Sequence, residues 1–201
     1  MFRTTARNAR SQCAVTIGKA IAATLATRHE VLLASREKSH LRVDIADPAS
    51  IEALYAQVGK VDAIISAAGQ ARFEPLADLG DDDFRFSIAN KLMGQVNVIR
   101  HGLDIVADGG SITVTSGILA QTPMPGSAAI SLVNAGLEGF VRAAALEAPR
   151  GIRVNAVSPP WVTETLLALG MPPEGGVPAS TVALAYVRSV EDTETGRVIS
   201  P

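Results

Sequence analysis

The stretch GGSITVTSGILAQTPMPGSAAISLVNAGLEGFVRAAALEAPRGIRVNAVSPPWVTET, from Gly109 to Thr165, decides the fold. Ser111 to Ser116 alternates Ile112 and Val114 with Thr113 and Thr115, which predicts a strand. Ile130, Val133, Leu137, Phe140, Val141 and Ala144 follow at close to a 3.6-residue period, which predicts a helix. That helix stops near Pro149-Arg150-Gly151, and Ile152 to Val157 predicts the next strand. A strand, a crossover helix and a strand in one sheet imply parallel pairing and a right-handed crossover. Ligands of such sheets lie beyond the carboxyl ends of the strands. Ser116 and the segment from Ser158 to Thr165 therefore fall on one rim.

The same alternation of elements continues on both sides of this stretch. Glu30 to Ser35 and Leu41 to Ile45 read as short strands. Asp47-Pro48 is a helix start, with Asp as N-cap and Pro at the first helical position, and Gly59 ends that helix. Val61 to Ser66 is the near-continuous apolar run of a central parallel strand. Asp81-Asp82-Asp83 opens a long helix whose positive end suits acids, and apolar positions carry it to about Val106. Pro172 to Gly176 is a loop, Pro178 starts a last helix reaching about Arg188, and Thr195 to Ile199 reads as the final strand. This order predicts one α/β domain over 1–201, a three-layer, doubly wound Rossmann-like parallel sheet.

Composition narrows the function classes. The chain has 201 residues with 47% hydrophobic and a net charge of −2, enough for one well-buried domain. No run of Lys and Arg is dense enough for a nucleic-acid surface, and no apolar run reaches bilayer-spanning length, so neither nucleic acid nor membrane is an expected partner. Cys13 is the only cysteine, which points to a reducing, cytoplasmic setting. His29, His40 and His101 have no metal-ligand spacing, so no metal is expected.

The quoted stretch resembles the catalytic half of a short-chain dehydrogenase/reductase, through VTSG, NAGLEGFVRAAALE and GIRVNAVSPPWVTET. The resemblance runs over most of the chain from Gly18 onward. It implies an oxidoreductase acting on a small carbonyl or alcohol substrate, with a nicotinamide dinucleotide as cofactor. In that family a serine ends this strand, a Tyr-x-x-x-Lys pair opens the helix, and a proline-glycine turn with a threonine follows the next strand. Ser116 matches the serine; Ile130 stands where the tyrosine belongs and Asn134 where the lysine belongs. Ile130 cannot move a proton, while the Asn134 amide can still hydrogen-bond a ribose hydroxyl. Pro159 keeps the turn and Pro160 replaces its glycine. The nicotinamide-binding threonine falls in register on Glu164, with Thr163 and Thr165 on either side. NKLMG resembles the family's Asn-x-x-Gly, whose asparagine holds a water of the proton relay. Counting back from Gly94 puts Lys91 at that place and Asn90 one residue before it, and either suits a polar role or a solvated helix face.

The resemblance also assigns a cofactor half. Gly18 matches the third glycine of a Gly-x-x-Gly-x-x-Gly pattern, with Val15 and Gln12 at the first two sites, and the first strand reads as degenerate or missing. Residues 1–16 are an atypical start, rich in Arg and without acids. A shifted frame or misplaced start is one expectation for it, and a transit peptide another. Arg36, at the end of a strand, suits the 2′-phosphate of NADP(H) rather than the ribose of NAD(H), and suits a solvated surface equally. Asp44 is implied near the adenine. Ser66, Ala67, Ala68 and Gly69 stand where the family has Asn-Asn-Ala-Gly, small residues that let backbone approach the cofactor. A catalytically inactive dinucleotide-binding or protein-interaction module on the same fold is the alternative reading. Family members commonly pair through the two long helices, here Asp81–Val106 and Ser127–Glu147, so a homo-oligomer is an expectation.

Overall fold

The computed structural model describes residues 2–6 and 12–201, with side chains from Thr16 onward. Seven strands form one wholly parallel sheet in the order β3-β2-β1-β4-β5-β6-β7. The strands are β1 Phe2–Ala6, β2 Val31–Ser35, β3 Leu41–Arg42, β4 Val61–Ser66, β5 Val106–Thr115, β6 Arg153–Val157 and β7 Val198–Ile199. The helices are α1 Gln12–Leu25, α2 Pro48–Val58, α3 Asp81–Ser87, α4 Gly94–Gly102, α5 Ala128–Glu147, α6 Thr163–Ala168 and α7 Ala179–Glu191. The strand order reverses between β1 and β4, which is where a doubly wound sheet opens its ligand crevice.

The first strand is not missing. Phe2–Ala6 pairs in register with β2 from Phe2↔Val31 to Ala6↔Ser35, and with β4 through Thr4↔Ile65 and Thr5↔Ser66. Its sequence FRTTA lacks the apolar run expected of a central strand, and backbone pairing on both sides places it nonetheless. Residues 7–11 and the side chains of Gln12 and Val15, the latter two assigned above to glycine sites, lie outside the described residues.

Two apolar layers cover the sheet. On one face Ile51, Leu54, Val96, Ile99, Leu137 and Val141 pack from α2, α4 and α5 onto Ile64, Ile112 and Val154. On the other, Ile17, Ile21 and Leu25 of α1 meet Val182, Tyr186 and Val190 of α7 over Ala63, Ile65 and Val157. Helix α2 starts and stops as its residues dictate. Asp47 accepts the Ala49 amide at 3.0 Å, and Gly59 closes the helix at φ 63°. Helix α5 is long and apolar enough to cross a membrane by length and composition, contrary to the reading of the sequence. Its place as the β5–β6 crossover explains the apolar content, because Ala129, Val133, Leu137 and Val141 enter the core.

The expected single helix from Asp81 onward is broken. Residues Ile88–Met93 form a π-helical turn between α3 and α4. A π turn inserts a residue into the helix and rotates every later side chain, a device that recurs at functional sites.

Candidate active site

A pocket of about 500 Å³ opens at the carboxyl ends of β4, β5 and β6. Its polar lining comes from Gln70, Lys91, Thr115, Ser116, Asn134 and Thr165. Among the described residues that line it, Lys91 is the only charged one. The walls are apolar, with Phe73, Met124, Ile130, Trp161, Leu169 and Met171. The Phe73 and Trp161 rings meet edge to face, with centroids 6.4 Å apart and planes at 80°.

The end of β5 is held by side chains that extend the sheet. The β4–β5 ladder runs to Ile65↔Thr113, and beyond it the side chain of Gln95 takes the partner strand's place. Gln95 is fully buried; its Oε1 accepts the Thr115 amide at 2.7 Å and its Nε2 donates to the Thr115 carbonyl at 2.7 Å. The Thr115 hydroxyl donates to the Ser66 carbonyl at 2.7 Å, which leaves its oxygen to accept from Tyr186, also at 2.7 Å. Tyr186 thus acts one layer behind the pocket and is completely buried. These contacts fix the strand end that carries Ser116.

The π turn brings Lys91, and not Asn90, to the site. Lys91 Nζ donates to the Ser116 carbonyl at 3.2 Å. Asn90 donates back to Phe86 O at 3.3 Å along its own helix and does not line the pocket. Gly69, at φ 132°, makes room for this approach: a Cβ there would lie 3.1 Å from Lys91 Cα and from Lys91 Cγ. From the opposite side, Asn134 donates to the Gly117 carbonyl at 3.4 Å. The two helices therefore place Lys91 and Asn134 on adjacent carbonyls of one strand end. Relative to the family pattern, the charged and the amide side chain have exchanged helices.

The remaining assigned residues divide. Ala67, Gly69, Asn134 and Pro159 line the pocket; Ser66 and Ala68 are buried behind it, and Ala68 belongs to the core. Gly18 is buried within α1, where Ile17 supplies the pocket wall. Thr163 is not in the lining. It starts α6 with its amide on the Val177 carbonyl and its side chain against Gly176, so the threonine that faces the pocket is Thr165. Glu164 turns away to accept the Ala179 amide at 3.0 Å and 3.2 Å, as a cap for α7. On the same rim, Arg36 and Asp44 bind each other through parallel contacts, Nε to Oδ2 at 2.9 Å and Nη2 to Oδ1 at 3.0 Å.

Reading the sequence missed Glu138. This carboxylate is 4% exposed, and its Oε1 accepts the Ser116 hydroxyl at 2.5 Å while Gln121 Nε2 donates to both of its oxygens. The available signal was spacing. Ile130, Asn134 and Glu138 recur every four residues on α5, which puts all three on one ridge.

Several buried polar atoms at this rim have no partner within the protein: Asn134 Oδ1 and Thr165 Oγ1, on residues that line the pocket, and Ser66 Oγ and Ser158 Oγ, on residues behind the lining. Buried polar groups are almost always satisfied, so the orphans in the lining mark where a ligand's polar groups fit. Their positions, over the ends of β4, β5 and β6, are where the nicotinamide half of a dinucleotide lies in this fold.

Comparison with known proteins agrees. Residues 3–199 match the family described as enoyl-(acyl carrier protein) reductase. The solved structure of lin1944 from Listeria innocua shares 37% identity and superimposes with a TM-score of 0.91, covering 99% of this chain and 98% of that one. A small-chain dehydrogenase solved in complex with NADPH shares 27% identity with a TM-score of 0.84, covering 100% of this chain and 95% of that one. The cis-4-hydroxycyclohexanecarboxylate dehydrogenase of Sinomonas cyclohexanicum is 34% identical over 157 residues, 71% of this chain and 62% of that protein. The chain spans between 48% and 62% of the length of the first curated relatives it matches. With the parallel sheet, its 3-2-1-4-5-6-7 order and the serine-bearing rim, this shows that the chain belongs to the short-chain dehydrogenase/reductase family.

Proposed function

We propose that the protein is an NADP(H)-dependent oxidoreductase that interconverts a small apolar alcohol and its carbonyl compound. The observation that carries this reading is the pocket itself, where Lys91, Ser116 and Asn134 converge inside apolar walls beside orphaned polar atoms. Those atoms and the close backbone approach at Gly69 fit the nicotinamide end of the cofactor. When bound, the cofactor supplies or takes up the hydride.

The chain's own residues then have distinct tasks. The Lys91 ammonium sets positive charge beside the strand end where a carbonyl oxygen becomes negative, and in a water-poor pocket that charge acts strongly. Ser116 orients the reacting oxygen. Asn134 and Thr165 offer acceptors and donors to the ribose and the carboxamide. Phe73, Trp161 and Met124 exclude water and select an apolar substrate. Arg36, held by Asp44, presents its guanidinium at the end of β2 for a 2′-phosphate, which supports NADP(H) over NAD(H).

A cytoplasmic setting follows from the single cysteine. Self-association through the α3–α4 segment and α5 is supported by the exposed Met93 of the π turn and Leu132 and Leu146 of α5, at 40%, 46% and 88%.

A second reading, a dinucleotide-binding module without catalysis, is favoured by one observation. Ile130 faces the pocket from the place of the family's proton donor. Titration with NADPH, followed by a screen of ring ketones, separates the two. Binding with turnover that falls about 100-fold or more in Ser116→Ala supports the enzyme. Binding without turnover supports the module. No saturable binding removes both.

A further inference from the structure

With Ile130 in the tyrosine position, the pocket needs another route for the substrate's proton. Lys91, as an ammonium, has no lone pair to accept one. Ser116 alone is a poor acid or base, because an unassisted hydroxyl ionises far from neutral pH. Behind Ser116, however, lies Glu138.

A carboxylate as buried as Glu138 is tolerated only when its oxygens are hydrogen-bonded. Here they are. The Ser116 hydroxyl donates its one hydrogen to Oε1 at 2.5 Å, and Gln121 donates to Oε1 at 2.7 Å and to Oε2 at 2.6 Å. Ser116 Oγ also accepts the Gly117 amide at 2.5 Å, which leaves one lone pair uncommitted. On its outer side Glu138 Oε2 lies 3.7 Å from Arg142 Nη2, whose side chain is 58% exposed, and Gln121 is itself exposed. The chain of atoms thus runs from the pocket floor, through a hydroxyl already pointed at a base, to solvent.

We infer that Ser116 and Glu138 form a proton path between the pocket and the surface, with Glu138 receiving the proton in alcohol oxidation. The inference rests on the oxidoreductase reading above. The oxidised nicotinamide dinucleotide, when bound, would take up the hydride from the carbinol carbon, and the alcohol's O–H bond breaks as its proton passes to Ser116 Oγ. The original Ser116 proton moves to Glu138 Oε1, and the resulting carboxylic acid releases it to water past Gln121. Carbonyl reduction runs the same path backward. Ser116 touches the reacting oxygen; Glu138 acts only through Ser116 and is a positioning residue.

The test combines a spectrum with kinetics. In cofactor-free protein labelled with ¹³C-carboxyl glutamate, the carboxylate stretch that disappears in Glu138→Gln should shift in Ser116→Ala; an unmoved band overturns the coupling. With cyclohexanol and 1-tetralol as probe alcohols, Glu138→Gln should bind NADPH within about threefold of the parent, keep its KM, and lose about 100-fold or more in kcat. A kcat within about threefold of the parent overturns the inference, and so does a parallel loss of NADPH affinity, which a merely structural role would give. Should Glu138→Gln fail to fold, Gln121→Leu, a change at an exposed side chain, should lower kcat about tenfold, and unchanged turnover there overturns the inference equally. Absence of NADPH binding by the parent protein sinks the oxidoreductase reading and the path with it. Binding and turnover with an indifferent Glu138→Gln sink the path alone.

Discussion

Replacing Gln95 by leucine tests whether the catalytic strand end depends on a side chain that stands in for a strand. Gln95 is fully buried and makes two 2.7 Å contacts with the backbone of Thr115, one as acceptor and one as donor. Leucine fills nearly the same volume but leaves the Thr115 N–H and C=O buried and unpaired. Each orphaned group costs about 1–3 kcal/mol, so the pair costs about 2–6 kcal/mol, with about 3 as a working value. For a chain of this size each kcal/mol lowers Tm by about 2–4 °C, so Gln95→Leu should melt about 6–12 °C lower. Gln95→Glu keeps the acceptor for the Thr115 amide but buries an unpaired carboxylate oxygen against the Thr115 carbonyl, and at neutral pH should melt at least as low as the leucine variant. Thermal melts by circular dichroism, checked by the urea midpoint at constant m-value, provide the measurement. A Tm within about 2 °C of the parent, corresponding to less than about 1 kcal/mol, would refute the claim that Gln95 completes the ladder.

Other outcomes follow from the same geometry. Arg36→Ala should weaken NADPH binding about 10–100-fold while leaving NADH within a factor of about two, as isothermal titration of both cofactors would show; equal losses would remove the phosphate role. Lys91→Met should lower kcat about 100-fold. Asn134→Lys should also impair turnover by crowding a second cation into the pocket, and the exchange variant Lys91→Asn/Asn134→Lys should recover part of that loss. A double-mutant cycle with purely additive effects would contradict the reading that the two side chains have traded places. Leu132→Glu should shift any oligomer to monomer in size-exclusion chromatography with little change in Tm, because that side chain is 46% exposed within one protomer.

The sequence made the scaffold legible where local chemistry and tertiary packing agree. Asp47-Pro48 and Gly59 bound α2 because cap, fixed φ and left-handed φ act within one turn of chain. The β5–α5–β6 unit was readable because the near-3.6 period of α5 coincides with the face it buries, whereas the alternation in β5 marks no face, Thr113 and Thr115 being buried like Ile112 and Val114. Strand β1 was not, since Arg3, Thr4 and Thr5 carry no central-strand pattern and backbone pairing from β2 and β4 holds them there. The site was harder still. A π turn has no sequence signature and shifts register by one, so the choice between Asn90 and Lys91 required the coordinates. The same holds after β6, where Glu164 caps α7 and a one-residue rotation brings Thr165 rather than Thr163 to the pocket. Glu138 drew no expectation from the sequence, because its partners Ser116 and Gln121 are distant in the chain.

Binding of NADP(H) at this rim is directly measurable through Trp161. It is the only tryptophan in the chain and it lines the pocket. Excitation of Trp161 while NADPH is added should give saturable energy transfer to the dihydronicotinamide, tighter for NADPH than for NADH and lost in Trp161→Phe. Tryptophan emission that declines only linearly with added NADPH, with no saturable transfer, would contradict it.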